Sequence, residues 1–468
     1  MRERKKIGQI ALNLLLTIMA CLSLLSPALK NGFPLLYSDS ATYILYGFWQ
    51  GVPIDRPILY SLFLRHISMA YSLWFPVFAQ SVMVLYLVFK LFHCVFRLSN
   101  AYAIACVVLI VLAFTTGLSN FISQLMPDLF ASLAFIAVVL LLYYKNLNQW
   151  DRYFLPILIV FFVACHLSNL PLVLFMLFAI ALSKALFPFQ QAISFSALFI
   201  LMVLTIVFVP VINYLYDGNW YYSKSKHVFM SATLQRKGIM YDYLYENCQN
   251  HDFVLCRSLD KLKTQDHTAY LWTAESALLD SACLATGGWG NCWAQKNAEL
   301  GVIIQNALQE PKFLKRYLLG SIQDFWIQLF DFEIGHLTQQ GKSSAFTPII
   351  GAHLPNDLGH FDKASQYQND LFFHSVTRIQ LVLVALSALG LLVLSFTFYK
   401  KQQRHFLVLI ALLVLFLLAN AAVCGILSTP VNRYQARVIW LLPLFFIALL
   451  VLCYQNKGYN RKDLFAKP

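Results

Sequence analysis

Long apolar runs alternate with short polar segments along the chain, and this alternation predicts a helical membrane protein. A helix that crosses a bilayer needs about 20 mostly apolar residues. We expect ten such spans, at 7–29, 73–96, 102–118, 129–144, 153–165, 170–185, 193–215, 378–399, 406–427 and 438–454. The first follows a basic cluster and is too long for a removed signal peptide, so it is expected to be retained.

The stretch 153–186 fits either one long tilted helix or two short ones, because only His166, Ser168, Asn169 and Pro171 interrupt it. The distribution of positive charge favours two helices, since basic residues concentrate in cytoplasmic loops. With two helices, one side of the membrane receives the N-terminus and the following basic residues: Arg97, Lys145, Arg152, Lys184, Lys400, Lys401, Arg404, Lys457, Arg461, Lys462 and Lys467. We therefore predict that both termini are cytoplasmic.

Composition supports the same class of protein. The chain has 59% hydrophobic and 12% charged residues, whereas soluble domains carry about 25% charged residues. A soluble enzyme is thereby excluded. The net charge of +13 falls mainly in the predicted cytoplasmic segments, so it indicates membrane topology and membrane lipids as partners, with no nucleic acid.

The spans divide the chain into three parts: an N-terminal membrane module at 1–215 with seven helices, an extracytoplasmic domain at 216–377, and a C-terminal module at 378–468 with three helices and a cytoplasmic tail. The long loop contains Cys248, Cys256, Cys283 and Cys292. An even set of cysteines in an oxidising compartment predicts disulfides. Three pairings are open. Neighbouring cysteines close the shortest loops and are preferred, and a zinc site is the competing interpretation.

Two regions outside the membrane are expected to be helical. In the segment 30–72, PLLYSDSATYILYGFWQG and RPILYSLFLRHISMAYS predict two short helices that lie along the outer surface. In the long loop, strand signals are few. Its stretch 311–332 has apolar residues at helical spacing, which predicts either a membrane-facing helix or, the favoured interpretation, a core face. These residues are Phe313, Leu314, Leu318, Ile322, Phe325, Trp326 and Phe330.

Ionisable residues beside the outer membrane face are the candidates for chemistry. They are Asp39 in YSDSATY, Asp55 and Arg56 in DRP, Asp128 in QLMPDLF, His166 at the helix break, and Arg433 and Arg437 in VNRYQAR. Charged groups at this depth are costly unless they are paired, hydrated or used. A carboxylate here can act as a general base, while a positive group holds a phosphate leaving group.

Each candidate also has a structural interpretation. Asp39 and Asp128 can cap the helices that follow them, and Asp55 can bond the backbone of its own turn. His166 can satisfy the backbone at the helix break. The arginines can contact lipid headgroups.

These residues and their layout resemble the GT-C superfamily of integral membrane glycosyltransferases, which includes protein mannosyltransferases, aminoarabinose transferases and oligosaccharyltransferases. In that superfamily, the first outer loop carries an essential aspartate soon after the first span and forms two helices on the membrane. The segments YSDSATY and DRPILYSLFLR of this chain resemble that loop. Many members have an acidic residue in the next outer loop, resembled by MPDLF, and an arginine–tyrosine pair before a late span, resembled by NRYQARVIWLLPL. The likeness covers residues 1–215 and 378–454.

The resemblance implies transfer of a sugar, with inversion, from a polyprenyl-phosphate donor to a lipid, glycan or protein acceptor. The reaction would take place on the extracytoplasmic face, which we expect to be the periplasmic side of a bacterial inner membrane. Asp39 would be the catalytic base and Asp128 a supporting carboxylate. The candidates for binding substrate or lipid phosphate are Arg56, Arg433, Arg437 and His166.

The chain departs from the superfamily in one respect. Asp39 is flanked by serines, so the paired acidic element of several branches is missing. The sequence therefore offers no support for a divalent metal cofactor, and no metal ligands are predicted.

Two other functions remain open. An O-antigen polymerase or ligase also has many spans and one large outer loop. Such enzymes usually require arginine and histidine residues, and Arg236, His336 or His353 would supply them. A transporter without covalent chemistry would place ionisable residues or broken helices near the bilayer midplane, often in two related halves. The position of Asp39 just after the first span favours the glycosyltransferase.

Overall fold

The structure, a computed structural model, describes residues 2–187 and 192–455. The predicted tail residues Lys457, Arg461, Lys462 and Lys467 lie outside the described residues. The N-terminal part consists of helices: α1 (Arg2–Leu24), α2 (Ser26–Asn31), α3 (Ser40–Phe48), α4 (Leu59–Ser68), α5 (Trp74–Lys90, extended by a π-helical turn Leu91–Val95), α6 (Ala101–Thr115), α7 (Leu118–Ser123), α8 (Leu129–Leu140, extended by a 3-10 turn Leu141–Asn146), α9 (Gln149–Cys165), α10 (Asn169–Leu186) and α11 (Phe195–Asp217).

The segment between the two membrane modules is also helical. It contains α12 (Lys226–Arg236), α13 (Ile239–Asn247), a 3-10 turn (Val254–Ser258), α14 (Leu259–Thr264), α15 (His267–Trp272), α16 (Ser281–Gln309), α17 (Pro311–Phe330), α18 (Phe346–His353), α19 (Pro355–Phe361) and α20 (Ser365–Gln368). Two short antiparallel strands, β1 (His336–Leu337) and β2 (Leu371–Phe372), pair within it. The C-terminal part consists of α21 (His374–Lys400), α22 (Arg404–Leu427), α23 (Asn432–Ile439) and α24 (Leu441–Gln455).

The chain is an all-α polytopic membrane protein. Within the described residues, seven helices are long and apolar enough to cross a membrane: Trp74–Val95, Leu129–Asn146, Asn169–Leu186, Phe195–Asp217, His374–Lys400, Arg404–Leu427 and Asn432–Gln455. Shorter apolar helices cover Gly8–Leu24 and Ala101–Thr115, and α9 has 17 residues. Each of the ten predicted spans thus coincides with a helix, while the number that cross the membrane stays a prediction.

The stretch 153–186 forms two helices, as the charge pattern predicted. α9 ends at Cys165, and the backbone of His166 is extended before α10 begins at Asn169. The Asn169 side chain donates to the Phe162 carbonyl, 2.8 Å away, and so satisfies a backbone group that the break exposes. Both helices pack against α8.

The segment from α12 to the start of α17 has its own hydrophobic core. Buried side chains from Val228 to Phe313 form a cluster separate from that of the membrane helices. Cys248 is bonded to Cys256 and Cys283 to Cys292, so the preferred pairing is confirmed and the zinc interpretation is wrong. Further along, α18 and α19 pack differently, because Phe346, Ile350, Leu354 and Phe361 belong to the same core as the membrane helices.

The predicted helix at 311–332 exists as α17, but the favoured interpretation of its apolar side as a core face is wrong. Ser321, Asp324 and Gln328 are buried, whereas Leu318 and Ile322 are more than half exposed. The polar side packs against α22, where the Asp324 carbonyl lies close to Gly425. An apolar side can face outward in a membrane protein, because lipid and not water surrounds it.

Candidate functional site

Two helix-connecting loops are joined by backbone hydrogen bonds, and these bonds bring the two predicted carboxylates together. The Leu35 amide donates to the Ser123 carbonyl at 2.9 Å, and the Leu125 amide donates to the Leu35 carbonyl at 3.0 Å. The Ser40 hydroxyl also donates to the Leu125 carbonyl at 2.9 Å. Asp39 and Asp128, which follow these segments, therefore lie at the same end of the helices.

Asp39 precedes α3, but its carboxylate is used in ion pairs. The Arg56 and Arg433 guanidinium groups each have a nitrogen 3.4 Å from its Oδ2 atom. Burial works against ionisation of this carboxyl, but the two guanidinium groups outweigh it and hold its pKa below the usual value. The side chain remains 25% exposed. Asp39 is therefore an ionised carboxylate that stays partly exposed.

Arg56 ties the DRP turn to Asp39. Its Nη1 atom donates to the Asp39 carbonyl at 3.2 Å, and its guanidinium also pairs with the adjacent Asp55 carboxylate. The guanidinium lies 4.9 Å from the centre of the Tyr43 ring, a cation–π contact. These contacts fix Arg56 beside Asp39, and the Asp55 carboxylate serves Arg56 in place of the predicted backbone bond.

Asp128 is fully enclosed. Its side chain is 1% exposed, and Arg437 Nη1 donates to its Oδ1 atom at 3.2 Å. Arg437 is also buried, and its Nη2 atom donates to the Ser168 hydroxyl at 3.0 Å and to the side-chain Oδ1 atom of Asn420 at 3.1 Å. A buried ion pair needs such extra hydrogen bonds to offset the desolvation of its charges. Asp128 and Arg437 thus join the starts of α8 and α10 to α22 and α23.

Arg433 lies between the two carboxylates. Its Nη2 atom is 3.4 Å from Asp39 and its Nη1 atom is 3.9 Å from Asp128, while the guanidinium stacks 4.2 Å from the centre of the Tyr37 ring. Within the described residues, the buried Nε and Nη1 atoms of Arg433 and the Nε atom of Arg437 have no hydrogen-bond partner. Buried donors without acceptors are costly, and these N–H groups can donate to a ligand that binds here.

His166 is attached to this cluster through Ser168. Its Nδ1 atom lies 2.8 Å from the Ser168 hydroxyl and accepts from the Ser168 amide at 3.2 Å. That hydroxyl receives the hydrogen bond from Arg437. His166 therefore satisfies the helix break, as its structural interpretation held, and also supports the arginine that binds Asp128.

The six predicted candidates Asp39, Asp128, Arg56, His166, Arg433 and Arg437 are thus connected in one network. Three further residues contact this network and were not predicted: Tyr37, Asn420 and Cys424, whose Sγ atom accepts from Arg437 Nη2 at 3.3 Å. Asn420 and Cys424 lie in the apolar run of α22, and a polar Asn within such a run was a signal in itself. Tyr37 carried no signal, because an aromatic residue near a membrane interface is common.

The residues named for the polymerase or ligase alternative have other contacts. Arg236 pairs with Asp324 of α17. His336 lies in β1 and stacks on Phe372, and His353 stacks on the Phe48 ring with centroids 4.6 Å apart.

Comparison with protein families, with characterised proteins and with solved structures finds no match. Across residues 2–187 and 192–455, no group of three or more His, Cys, Asp or Glu side chains is arranged to hold a metal ion. The fold and the site define an all-α polytopic membrane protein with a disulfide-bonded segment and a paired arginine–carboxylate cluster where two helix-connecting loops meet.

Proposed function

We propose that this protein is a GT-C-like membrane glycosyltransferase that moves a sugar from a polyprenyl-phosphate donor to a lipid, glycan or protein acceptor on the extracytoplasmic face. One observation carries the proposal. Asp39 is a partly exposed carboxylate beside Arg433, whose buried Nε and Nη1 atoms make no hydrogen bond within the described residues. A base and a phosphate site are the two groups that such a transfer requires.

Arginine suits the phosphate role. Its planar guanidinium presents several N–H donors that match the oxygens of a phosphate. The Nε groups of Arg433 and Arg437 have no hydrogen-bond partner within the described residues, so both can donate to a phosphate while the Nη1 atoms keep their contacts with Asp128. The buried Asp128 keeps these arginines in position, and we assign it a supporting role.

In the proposed reaction, the Asp39 carboxylate takes the proton of an acceptor hydroxyl. The acceptor oxygen forms a bond to the anomeric carbon of the sugar from the face opposite the phosphate. The bond between the anomeric carbon and the phosphate oxygen breaks, and its electron pair leaves with the polyprenyl phosphate. The guanidinium groups stabilise the charge that develops on the leaving oxygen, and the sugar is transferred with inversion.

Donor binding would also prepare the base. Arg433 lowers the pKa of Asp39 in the absence of donor. A phosphate that accepts hydrogen bonds from Arg433 competes with the carboxylate for its positive charge. Asp39 then becomes a stronger base once the donor is bound. This favours transfer of the sugar to the acceptor over donor binding without reaction.

The substitution Asp39→Asn tests the proposal. The amide cannot accept the proton, and loss of a general base lowers the rate by about 10²- to 10⁴-fold. We expect a strain with this variant as the only copy to lose the same envelope glycan or glycolipid species as a deletion strain, as measured by mass spectrometry. Asp252→Asn is the control, because Asp252 is an exposed aspartate of the segment that follows α13. A wild-type profile from Asp39→Asn, with normal protein abundance, would refute Asp39 as the base.

A further inference from the structure

The exposed side of α17 changes from basic to apolar along the helix. Its first two turns carry the exposed basic residues Lys312, Lys315 and Arg316. From Leu318 to Phe330 the exposed side is apolar apart from Gln323, with the two end residues 53% and 68% exposed. This apolar strip is about 18 Å long at 1.5 Å per residue, comparable with half of the ~30 Å hydrocarbon core of a bilayer.

The opposite side of α17 is fixed to the membrane helices. A Cβ atom at Gly425 of α22 would lie 2.8 Å from the Asp324 carbonyl oxygen, so the two helices are in close contact. Gln328 makes two 2.9 Å hydrogen bonds with the Val431 backbone, just before α23. Because α22 is apolar enough to span a bilayer, α17 lies beside the membrane, at the helix ends that carry Asp39.

A surface cavity of about 600 Å³ opens at the basic end of α17. Its described lining contains one carboxylate, that of Asp324, and the following cationic residues: Arg236, Lys237, Lys312, Lys315 and Arg316. The Asp324 carboxylate is 3% exposed and is paired with Arg236 and Lys237. The cavity therefore has a positive wall at the point where the apolar strip begins.

The other cationic residues of the cavity differ in whether a nearby carboxylate neutralises their charge. Lys312 pairs with Glu246 and Arg316 with Asp242, both exposed pairs that contribute little. Within the described part of the chain, no carboxylate lies within ion-pair distance of Lys315. A basic cavity that continues into an exposed apolar strip matches a molecule with an anionic head and hydrocarbon chains.

We propose that this cavity and the apolar strip of α17 bind an anionic phospholipid of the outer leaflet. The headgroup phosphate lies between Lys312, Lys315 and Lys237, and the acyl chains cover Leu318, Ile322 and Phe330. This site is separate from the Asp39 cluster and does not depend on the proposed transferase reaction. Through Gln328 and Val431, the helix that holds the lipid is bonded to the segment that leads into Arg433.

The test measures lipid binding to the purified full-length protein in detergent by native mass spectrometry. Dioleoylphosphatidylglycerol and dioleoylphosphatidylcholine have the same chains and differ in net charge, so we expect the first to bind more tightly. One lysine near an anionic lipid surface is worth about a fivefold change in affinity. Lys315→Gln should therefore lose about fivefold, and the Lys312→Gln/Lys315→Gln double variant about 25-fold. Lys363→Gln, an exposed lysine of the segment between α19 and α20, should bind like the wild type.

Two further arms distinguish the source of the phosphate and the nature of the surface. Leu318→Gln with Ile322→Gln should weaken phosphatidylglycerol binding but leave the binding of inorganic phosphate unchanged. Equal affinity for the two lipids, an unchanged affinity in the lysine double variant, or inorganic phosphate that binds as tightly as the lipid would each overturn the proposal. A protein that co-purifies with the wild type and is lost in Leu318→Gln/Ile322→Gln, with no effect on lipid, would show a protein-binding surface instead.

Discussion

Asp39 and Asp128 show how the surroundings of a residue determine its chemistry. Both directly precede a helix, α3 and α8, and both pair with Arg433. Asp39 is a quarter exposed, whereas Asp128 is enclosed and also bound by Arg437. An enclosed, doubly paired carboxylate positions its partners, while an accessible one can exchange a proton with a substrate.

The pH dependence of activity follows from the contacts of Asp39. The proposed base works only when ionised, so activity falls as the pH drops through the pKa of Asp39, and Arg56 and Arg433 keep that pKa below its usual value. Arg56→Gln removes one positive charge and raises the pKa. We expect the acid limb of the kcat/KM profile to move to higher pH, with transfer retained near neutrality.

The control for this experiment is Arg65→Gln. Arg65 of α4 stacks on the Phe48 ring, and its loss should leave the acid limb in place. An acid limb that does not move in Arg56→Gln would mean that Asp39 is not the group that titrates in the reaction.

At the scale of elements, close helix contacts position the site. α17 packs against α22, which leads to the segment that carries Arg433 and Arg437, and Gln328 of α17 is hydrogen-bonded to the start of that segment. The contact depends on Gly425, because a side chain there would collide with the backbone of α17 at Asp324. Small residues at helix interfaces allow such close approach in membrane proteins.

Gly425→Ala tests the importance of this contact. The new Cβ atom would lie 2.8 Å from the Asp324 carbonyl oxygen, so the helices must separate, at a cost of about 1–3 kcal/mol. We expect a lower midpoint of thermal unfolding in detergent. Gly359→Ala in α19 is the matched control, since a Cβ atom there meets nothing within 4 Å. Equal midpoints for the two variants would contradict the close packing of α17 on α22.

At the scale of the whole molecule, the arginine–carboxylate cluster and the disulfide-bonded segment lie at the same ends of the membrane helices. Thr233 of α12 donates to the Ser428 carbonyl at 2.9 Å, directly after α22. Lys224 donates to the Val52 carbonyl at 3.1 Å, near the DRP turn. The segment therefore contacts the connection between α3 and α4, which carries Arg56, and the connection after α22, which leads to Arg433, so it lies on the same side of the membrane as both.

Cysteine labelling tests which side that is. Disulfides form in oxidising compartments, so we expect Asp252→Cys to react with a membrane-impermeant maleimide on intact cells. Lys401→Cys, in the exposed turn between α21 and α22, should react only after the membrane is permeabilised. The unsubstituted protein gives the background. The reverse labelling pattern would place the cluster in the cytoplasm and rule out the proposed periplasmic reaction.

The sequence by itself determined the class of fold, the helix positions and the candidate residues. Apolar runs of bilayer length have few alternatives to helices, because the backbone must satisfy its own hydrogen bonds in lipid. Charged residues of both signs at the membrane face are costly unless they are paired, hydrated or used, so Asp39, Asp128, Arg433 and Arg437 could be identified as candidates without coordinates.

The tertiary structure alone decided which of these residues meet and which side of a helix faces outward. Arg433 and Asp39 are 394 residues apart in sequence, and only the packing of helices brings them to ion-pair distance. The periodicity of α17 gave an apolar side but not its direction, since lipid and protein core are both apolar environments. The buried contacts of Asp324 and Gln328 with neighbouring segments decided that direction.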